Sequence, residues 1–170
     1  MSLTYDCLFA GPSPDLHVLL DQLVDEHLDE TPENTAGDDV FCFFENNGSF
    51  SLYYVDDDDV DSKPMLLIYP STRPQTYTLA FGEFHVASNW YIDTNHTRNM
   101  AKADEALARL LRLVLKQYAG DFACLFNGEQ VMLHRAAGRV YLNSESDISE
   151  EPSLSLLQLP DYELKTYNTV

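Results

Sequence analysis

The first third of the chain has no positively charged residue. Residues 1–62 hold 16 of the 28 Asp and Glu residues and none of the 10 Lys and Arg residues, so the net charge of −18 is concentrated there. Binding to nucleic acid needs basic side chains that replace the counterions of the phosphates, and attraction to an anionic membrane also needs positive charge. The composition therefore argues against nucleic acid and membrane as partners. It favours high solubility or a basic protein partner.

The chain also lacks long hydrophobic runs and is poor in cysteine. No segment approaches the roughly 18 apolar residues of a transmembrane helix, and Met1 to Asp6 has neither the basic region nor the apolar core of a signal peptide. Cys7, Cys42 and Cys124 are widely spaced within apolar runs, where free thiols pack as small hydrophobic groups. These features predict reduced cysteines and a cytoplasmic protein.

Catalytic signatures are missing as well. The sequence contains no P-loop, no GxGxxG motif and no GxSxG nucleophile turn, and its five histidines do not follow a metal-binding spacing. We therefore predict a protein that is not an enzyme, with no catalytic residue, no cofactor and no metal. The alternative is a small enzyme with an unrecognised site, for which Glu83 and His85, two residues apart on one strand face, are a candidate acid–base pair.

The run of aspartates from Asp56 to Asp61 invites comparison with a calcium loop. An EF-hand loop beginning at Asp57 would place Ser62 at the position of the turn-making glycine and Ile68 at that of the bidentate glutamate. Both residues are unsuitable for those roles. The run is better interpreted as an acidic turn, either simply solvated or able to bind a basic partner.

Hydrophobic periodicity and turn residues divide the chain into two helices and a series of strands. Ser13 and Pro14 are suited to begin the first helix, which is predicted to end near Leu28, and Gly120 is suited to follow the second. The predicted helices cover residues 14–28 and 97–118, and the predicted strands cover 3–10, 40–45, 49–55, 65–69, one or two stretches within 75–89, 121–126, 129–135 and 139–143.

This order predicts a single α+β domain over residues 1–170. Strands grouped between two helices and joined by short turns are typical of an antiparallel β-sheet with two main helices packed on one face. Residues 144–153 are predicted to form a polar linker, and the leucine-rich segment after them is predicted to pack as a C-terminal strap.

Two acidic loops flank a predicted hairpin. Asn46-Asn47-Gly48 is a strong turn signal between the strands 40–45 and 49–55. If this hairpin forms, its open end brings residues 38–39 and 56–59 together, and such a cluster of carboxylates would accelerate encounter with a cationic protein. We therefore predict a partner-binding site with these members: Asp38, Asp39, Asp56, Asp57, Asp58 and Asp59.

The second predicted helix carries the compensating charge. It holds five of the ten basic residues, and Glu105 and Arg109 have the i,i+4 spacing of a helical ion pair. These bases are expected to balance the acidic part of the chain, either within the fold or in a self-dimer, so self-association stays possible.

The segment after this helix resembles the C-terminal helix and meander of Sit-type (swarming inhibition) immunity proteins from bacterial polymorphic toxin systems. The resemblance extends to a strand at the start of the chain. The matching residues are Leu3, Tyr5, Phe126, Asn127, Gly128, Glu129, Leu133, Arg135, Gly138, Tyr141, Leu142 and Asn143. They are suited to a turn and its strands, so they indicate a family and not a binding site.

The resemblance implies a cytoplasmic protein that binds a cognate toxin domain and neutralises it. The acidic residues around the hairpin lie outside the resembling pattern, as expected for a surface specific to one partner. Exposed aromatic residues such as Trp90 and Tyr91 are alternative binding residues. A second alternative is an inhibitor that mimics nucleic acid and binds a basic protein; it predicts carboxylates spaced over an extended surface.

Overall fold

The structure is a computed structural model that describes residues 3–29, 39–55, 64–94 and 100–167. Within these residues, three helices and eleven strands form an α+β fold. The helices are α1 (Leu16–Asp29), α2 (Met100–Gln117) and α3 (Ser153–Leu157). The strands are β1 (Thr4–Phe9), β2 (Asp39–Phe44), β3 (Phe50–Val55), β4 (Pro64–Ser71), β5 (Gln75–Leu79), β6 (Gly82–Val86), β7 (Ser88–Asp93), β8 (Phe122–Phe126), β9 (Gln130–Ala136), β10 (Arg139–Asn143) and β11 (Glu163–Lys165).

Nine of these strands form one sheet in the order β11-β10-β9-β8-β1-β7-β4-β3-β2. The first strand of the chain lies at its centre, antiparallel to both β7 and β8. Neighbouring strands are antiparallel throughout except for the parallel pair β10 and β11. The sheet therefore confirms the predicted antiparallel core and adds one parallel strand at an edge.

The two helices predicted from sequence pack on one face of the sheet. Tyr5, Cys7 and Phe9 alternate along β1 and join the larger hydrophobic core, to which α1 and α2 contribute Leu19 and Leu110. Successive residues of a strand point to opposite faces, so the intervening residues belong to the other side. The predicted fold class, an α+β domain with helices on one face, is confirmed.

The opposite face is covered in part by a small second sheet. Strands β5 and β6 pair only with each other, and Phe84 and Val86 of β6 pack with Leu8 of β1 and Leu125 of β8 in a second hydrophobic cluster. The sequence predicted strands in this region. The sequence did not show that these strands form a separate sheet, because this depends on the face of the main sheet against which their apolar residues pack.

Asp15 caps the beginning of α1, and Ser13 does not. The Asp15 carboxylate accepts hydrogen bonds from the backbone nitrogens of His17 and Val18, at 3.0 and 3.4 Å. The helix begins at Leu16, later than predicted, because the cap is Asp15. Ser13 contacts β7 instead, where its backbone nitrogen donates to Ser88 Oγ.

The segment predicted as a polar linker is folded. It contains a short 3₁₀ helix, Asp147–Ser149, and the first residue of α3, and Ile148 is buried in the main core. The predicted strap consists of α3 and the edge strand β11. The linker prediction followed the polar composition of residues 144–153 and gave no weight to Ile148, whose side chain packs in the core.

The cysteines are free within the described residues, with Cys7 and Cys124 buried as opposed residues of β1 and β8. A hydrogen bond with Cys124 and burial raise the pKa of the Cys7 thiol well above its ordinary value. None of the helices in the described part of the chain is long and apolar enough to cross a membrane.

Candidate functional site

The hairpin on which the predicted acidic site depends is present. β2 pairs antiparallel with β3, and the register places Asp39 opposite Val55 and Phe44 opposite Phe50. The open end of this hairpin is therefore the point where the chain enters from residue 38 and leaves towards residue 56. Asp39 is the first residue of β2, but its side chain lies outside the described residues, as do Asp38, Asp56, Asp57, Asp58 and Asp59.

The residues that resemble Sit-type immunity proteins have structural roles. Asn127 and Gly128 both have positive φ, of 50° and 74°, in the turn between β8 and β9. Asn127 also joins this turn to β1, because its backbone nitrogen donates to Thr4 O at 2.8 Å and its side-chain oxygen accepts from Thr4 N at 3.1 Å. The turn interpretation of this motif is confirmed.

Arg135, another residue of this pattern, holds the end of α2. Its side chain is buried, and its guanidinium donates hydrogen bonds to the backbone oxygens of Leu115, Tyr118 and Gly120. These carbonyls lie at the C-terminus of the helix, where backbone acceptors have no intrahelical donor. A positive charge there also interacts favourably with the helix dipole. Arg135 is therefore a structural cation.

Asn143, the last residue of β10, is also bound within the fold. It is 1% exposed, its side-chain nitrogen donates to Val131 O at 2.7 Å, and its side-chain oxygen accepts from the Glu145 backbone. The turn, the arginine and the terminal asparagine of the pattern therefore all bind backbone groups within the fold.

An aromatic pair is exposed on the sheet face opposite the helices. Tyr69 of β4 and Tyr91 of β7 are directly opposed, with ring centroids 6.2 Å apart, and each is 39% exposed. Trp90, in contrast, is fully buried and packs edge-on against Phe9. Trp90 is therefore wrong as an exposed binding residue, because alternation along β7 directs it into the helix-side core. Tyr91 remains available.

The basic residues of α2 form ion pairs within the fold. Arg109 binds Glu105 at 3.1 Å, as the i,i+4 spacing predicted, and Lys102 approaches the same carboxylate group at 3.7 Å. Arg112 forms an ion pair with Glu26 of α1, which joins the two helices. Part of the predicted charge balance is therefore intramolecular.

The candidate acid–base pair is an exposed surface contact. His85 Nε2 lies 3.9 Å from Glu83 Oε2, both side chains are largely solvent-exposed, and His85 Nδ1 is 3.1 Å from Thr76 Oγ1. Within the described ranges, no three His, Cys, Asp or Glu side chains lie close enough together to share a metal ion.

A cleft that the sequence did not reveal lies on the helix side of the sheet. It has a volume of 120 Å³ and is lined by Tyr5 of β1, Asp104 of α2, and Glu145 and Asp147 at the 3₁₀ helix. Partial desolvation, and then the charge of Asp147, raise the pKa of the Asp104 carboxyl. No spacing in the sequence indicates this cleft, because four segments far apart in the chain form it.

Comparison with known protein families relates part of the chain to one of them. A family model described as SitI3-like matches residues 71–152, from the last residue of β4 to the residue before α3. The match confirms the resemblance to Sit-type immunity proteins, and it includes α2 and the β8–β10 meander but not the β2–β3 hairpin. No curated protein and no solved structure matches the chain significantly.

Proposed function

We propose, from the match of residues 71–152 to the SitI3-like family, that this protein is an immunity protein that binds and neutralises a cognate bacterial toxin domain. In this proposal the protein is not an enzyme, and it acts in the cytoplasm by occupying the toxin. The family match carries the proposal, and the surface of the chain suggests how the toxin is recognised.

The open end of the β2–β3 hairpin is the proposed toxin-binding surface. Asp39 and Val55 are register partners, so the acidic residues that precede and follow them in the chain begin from adjacent backbone positions. Asp38, Asp39 and Asp56 to Asp59 would then present a local excess of negative charge. Many toxin domains that act on nucleic acids or nucleotides carry positive charge around their active sites, and carboxylates can occupy the place of substrate phosphates.

The location of this surface outside the matched range supports a partner-specific role. The matched part supplies α2 and the turns that hold the sheet, whereas the acidic hairpin belongs to the part of the chain that the family model does not match. A protein that mimics nucleic acid would instead need carboxylates distributed over an extended surface. In this chain the acidic residues are concentrated instead, since 16 of the 28 are in the first 62 residues. We therefore favour the immunity function over mimicry of nucleic acid.

Co-expression with the product of the adjacent gene tests the function. We expect that product to arrest growth of a bacterial host when expressed alone, and we expect this protein to restore growth and to bind the product in purified form. If the product is harmless, or if the two proteins do not bind, the immunity function is refuted.

Charge neutralisation tests the surface. Replacing the six aspartates of the proposed surface with asparagine should reduce the association rate roughly ten-fold or more at low salt, with a smaller difference at high salt, because surface charge acts mainly on encounter. The control variant carries the same change of charge at six exposed acidic residues elsewhere: Glu83, Glu129, Glu150, Glu151, Asp161 and Glu163. Equal association rates for the two variants would refute the acidic hairpin as the binding surface.

A further inference from the structure

The cleft beside α2 is a concentration of negative charge without compensation. Asp104, Glu145 and Asp147 line it, and none of the residues lining it is Lys, Arg or His. The carboxylate groups of these three residues form no ion pair with any residue in the described part of the chain. All three side chains are exposed at the cleft, and Asp147 is near enough to Asp104 for its charge to raise the pKa of the Asp104 carboxyl. Because like charges repel each other, a bound cation would stabilise this arrangement.

A tyrosine hydroxyl group opens into the same cleft. Tyr5 is only 6% exposed, and its ring packs against Phe126, with the ring centroids 5.3 Å apart. Its hydroxyl neither donates to nor accepts from any other group within the described residues. A phenol oxygen can accept a hydrogen bond from a cationic donor. Burial, and then the charge of Asp104, raise the pKa of Tyr5, which places the hydroxyl close to the carboxylates of the cleft.

The lining of the cleft combines charged side chains with apolar ones. The less exposed part of the lining includes Leu107 of α2 and Phe126 and Met132 of neighbouring strands. The volume of 120 Å³ is well above the roughly 10–15 Å³ that a single water needs. Long basic side chains combine an aliphatic stem that packs on apolar surface with a charged group that donates several hydrogen bonds.

We propose that this cleft binds a single arginine or lysine side chain of the cognate toxin domain, with the Tyr5 hydroxyl and the Asp104 and Asp147 carboxylates as its recognition groups. The proposal rests on the proposed immunity function and identifies a second point of contact, on the helix side of the sheet. A bare metal ion fits less well, because the carboxylates do not form a group able to share one among the described residues.

Two substitutions in the cleft test the proposal, each measured against the purified product of the adjacent gene. Tyr5→Phe removes only the hydroxyl, and Asp104→Asn removes only a charge. A hydrogen bond to a charged group is worth a factor of roughly ten or more in affinity, so each variant should bind roughly ten-fold more weakly. Tyr162→Phe and Asp161→Asn are the matched controls, because both residues are exposed, and their affinities should equal that of the unchanged protein.

Thermal unfolding distinguishes recognition from a structural role. Removing a hydroxyl that forms no hydrogen bond within the described residues should leave the melting temperature of Tyr5→Phe unchanged or raise it by about 2–4 °C. Weaker binding together with undiminished stability supports the proposal. If the unchanged protein binds but both cleft variants bind within two-fold of it, the cleft proposal is refuted and the immunity function stands. If the unchanged protein does not bind, the immunity function fails and the cleft proposal fails with it.

Discussion

Arg135→Met is expected to destabilise the protein more than any other exchange of a basic residue for a neutral one in the β9–β10 hairpin. The guanidinium donates to Leu115 O at 2.8 Å and to Gly120 O at 2.8 and 3.0 Å, and it also binds Tyr118 O. Methionine has a side chain of similar length but no donor. The substitution therefore leaves three backbone oxygens at the end of α2 without their partner.

The magnitude follows from these contacts. Each backbone oxygen that loses a charged donor costs about 1–3 kcal/mol, and water recovers part of this because Tyr118 and Gly120 are only partly buried. The contact of the guanidinium with the Tyr118 ring, 5.8 Å from its centroid, contributes about 0.5–1 kcal/mol more. We expect a loss of about 3–5 kcal/mol, a large share of the 5–15 kcal/mol typical of a domain.

Urea unfolding provides the measurement, with Trp90 as the probe. Trp90 is the only tryptophan and is fully buried, so its fluorescence reports loss of the core. Arg135→Met should shift the unfolding midpoint to a lower urea concentration without changing the slope. The midpoint of Arg135→Lys should lie between those of the unchanged protein and Arg135→Met, since an ammonium group cannot reproduce the planar fork of the guanidinium.

Arg139→Met is the matched control. Arg139 lies on the next strand, is 72% exposed and forms one surface ion pair with Glu163 at 3.6 Å. Exposed pairs contribute about 0–1 kcal/mol, so this variant should be nearly as stable as the unchanged protein. A loss below about 1 kcal/mol for Arg135→Met, or equal losses for the two variants, would refute the structural role assigned to Arg135.

Three further predictions follow from buried polar groups. Burial, and then the charge of Lys165, lower the pKa of His134 to about 4, whereas this pKa is 6.5 in the unfolded chain. The free energy of unfolding should therefore fall by up to about 3 kcal/mol as the pH is lowered from 6.5 to 4. His134→Gln should remove this part of the pH dependence. Partial burial raises the pKa of the half-buried Cys42 from 9.0 to about 11, so a thiol reagent at pH 8 should label Cys42 of the folded protein roughly 100-fold more slowly than an ordinary thiol. Labelling at the full rate would contradict this raised pKa. Asn143→Ala should cost about 1–3 kcal/mol in urea unfolding by leaving Val131 O without its donor, whereas Ser144→Ala, at an exposed position, should cost much less.

Local patterns predicted most of the secondary structure correctly. The Asn-Gly signals at residues 47–48 and 127–128 lie in the turns of two hairpins, where Gly48, Asn127 and Gly128 have the positive φ that glycine and asparagine tolerate. Alternation also assigned Tyr5, Cys7 and Phe9 to one face of β1. These features depend on residues that are neighbours in the chain.

Predictions that required a choice between two faces were less secure. Trp90 and Tyr91 are adjacent, and alternation shows only that they point in opposite directions. Packing against Phe9 decides that Trp90 is the buried one. In the same way, residues 75–86 were recognisable as strands, but their position as a separate sheet over Leu8 and Leu125 depends on contacts between distant segments.

The amino-acid sequence alone is enough to locate the negative charge, to assign most of the strands and helices, and to reveal the resemblance to Sit-type immunity proteins. Charge and periodicity are local properties, so the chain carries them before it folds. Tertiary structure alone decided that the motif residue Arg135 holds the end of α2, and that Tyr5, Asp104, Glu145 and Asp147 line one cleft. Such sites form only when antiparallel pairing places β1 between β7 and β8 and packs α2 on the face that carries Tyr5.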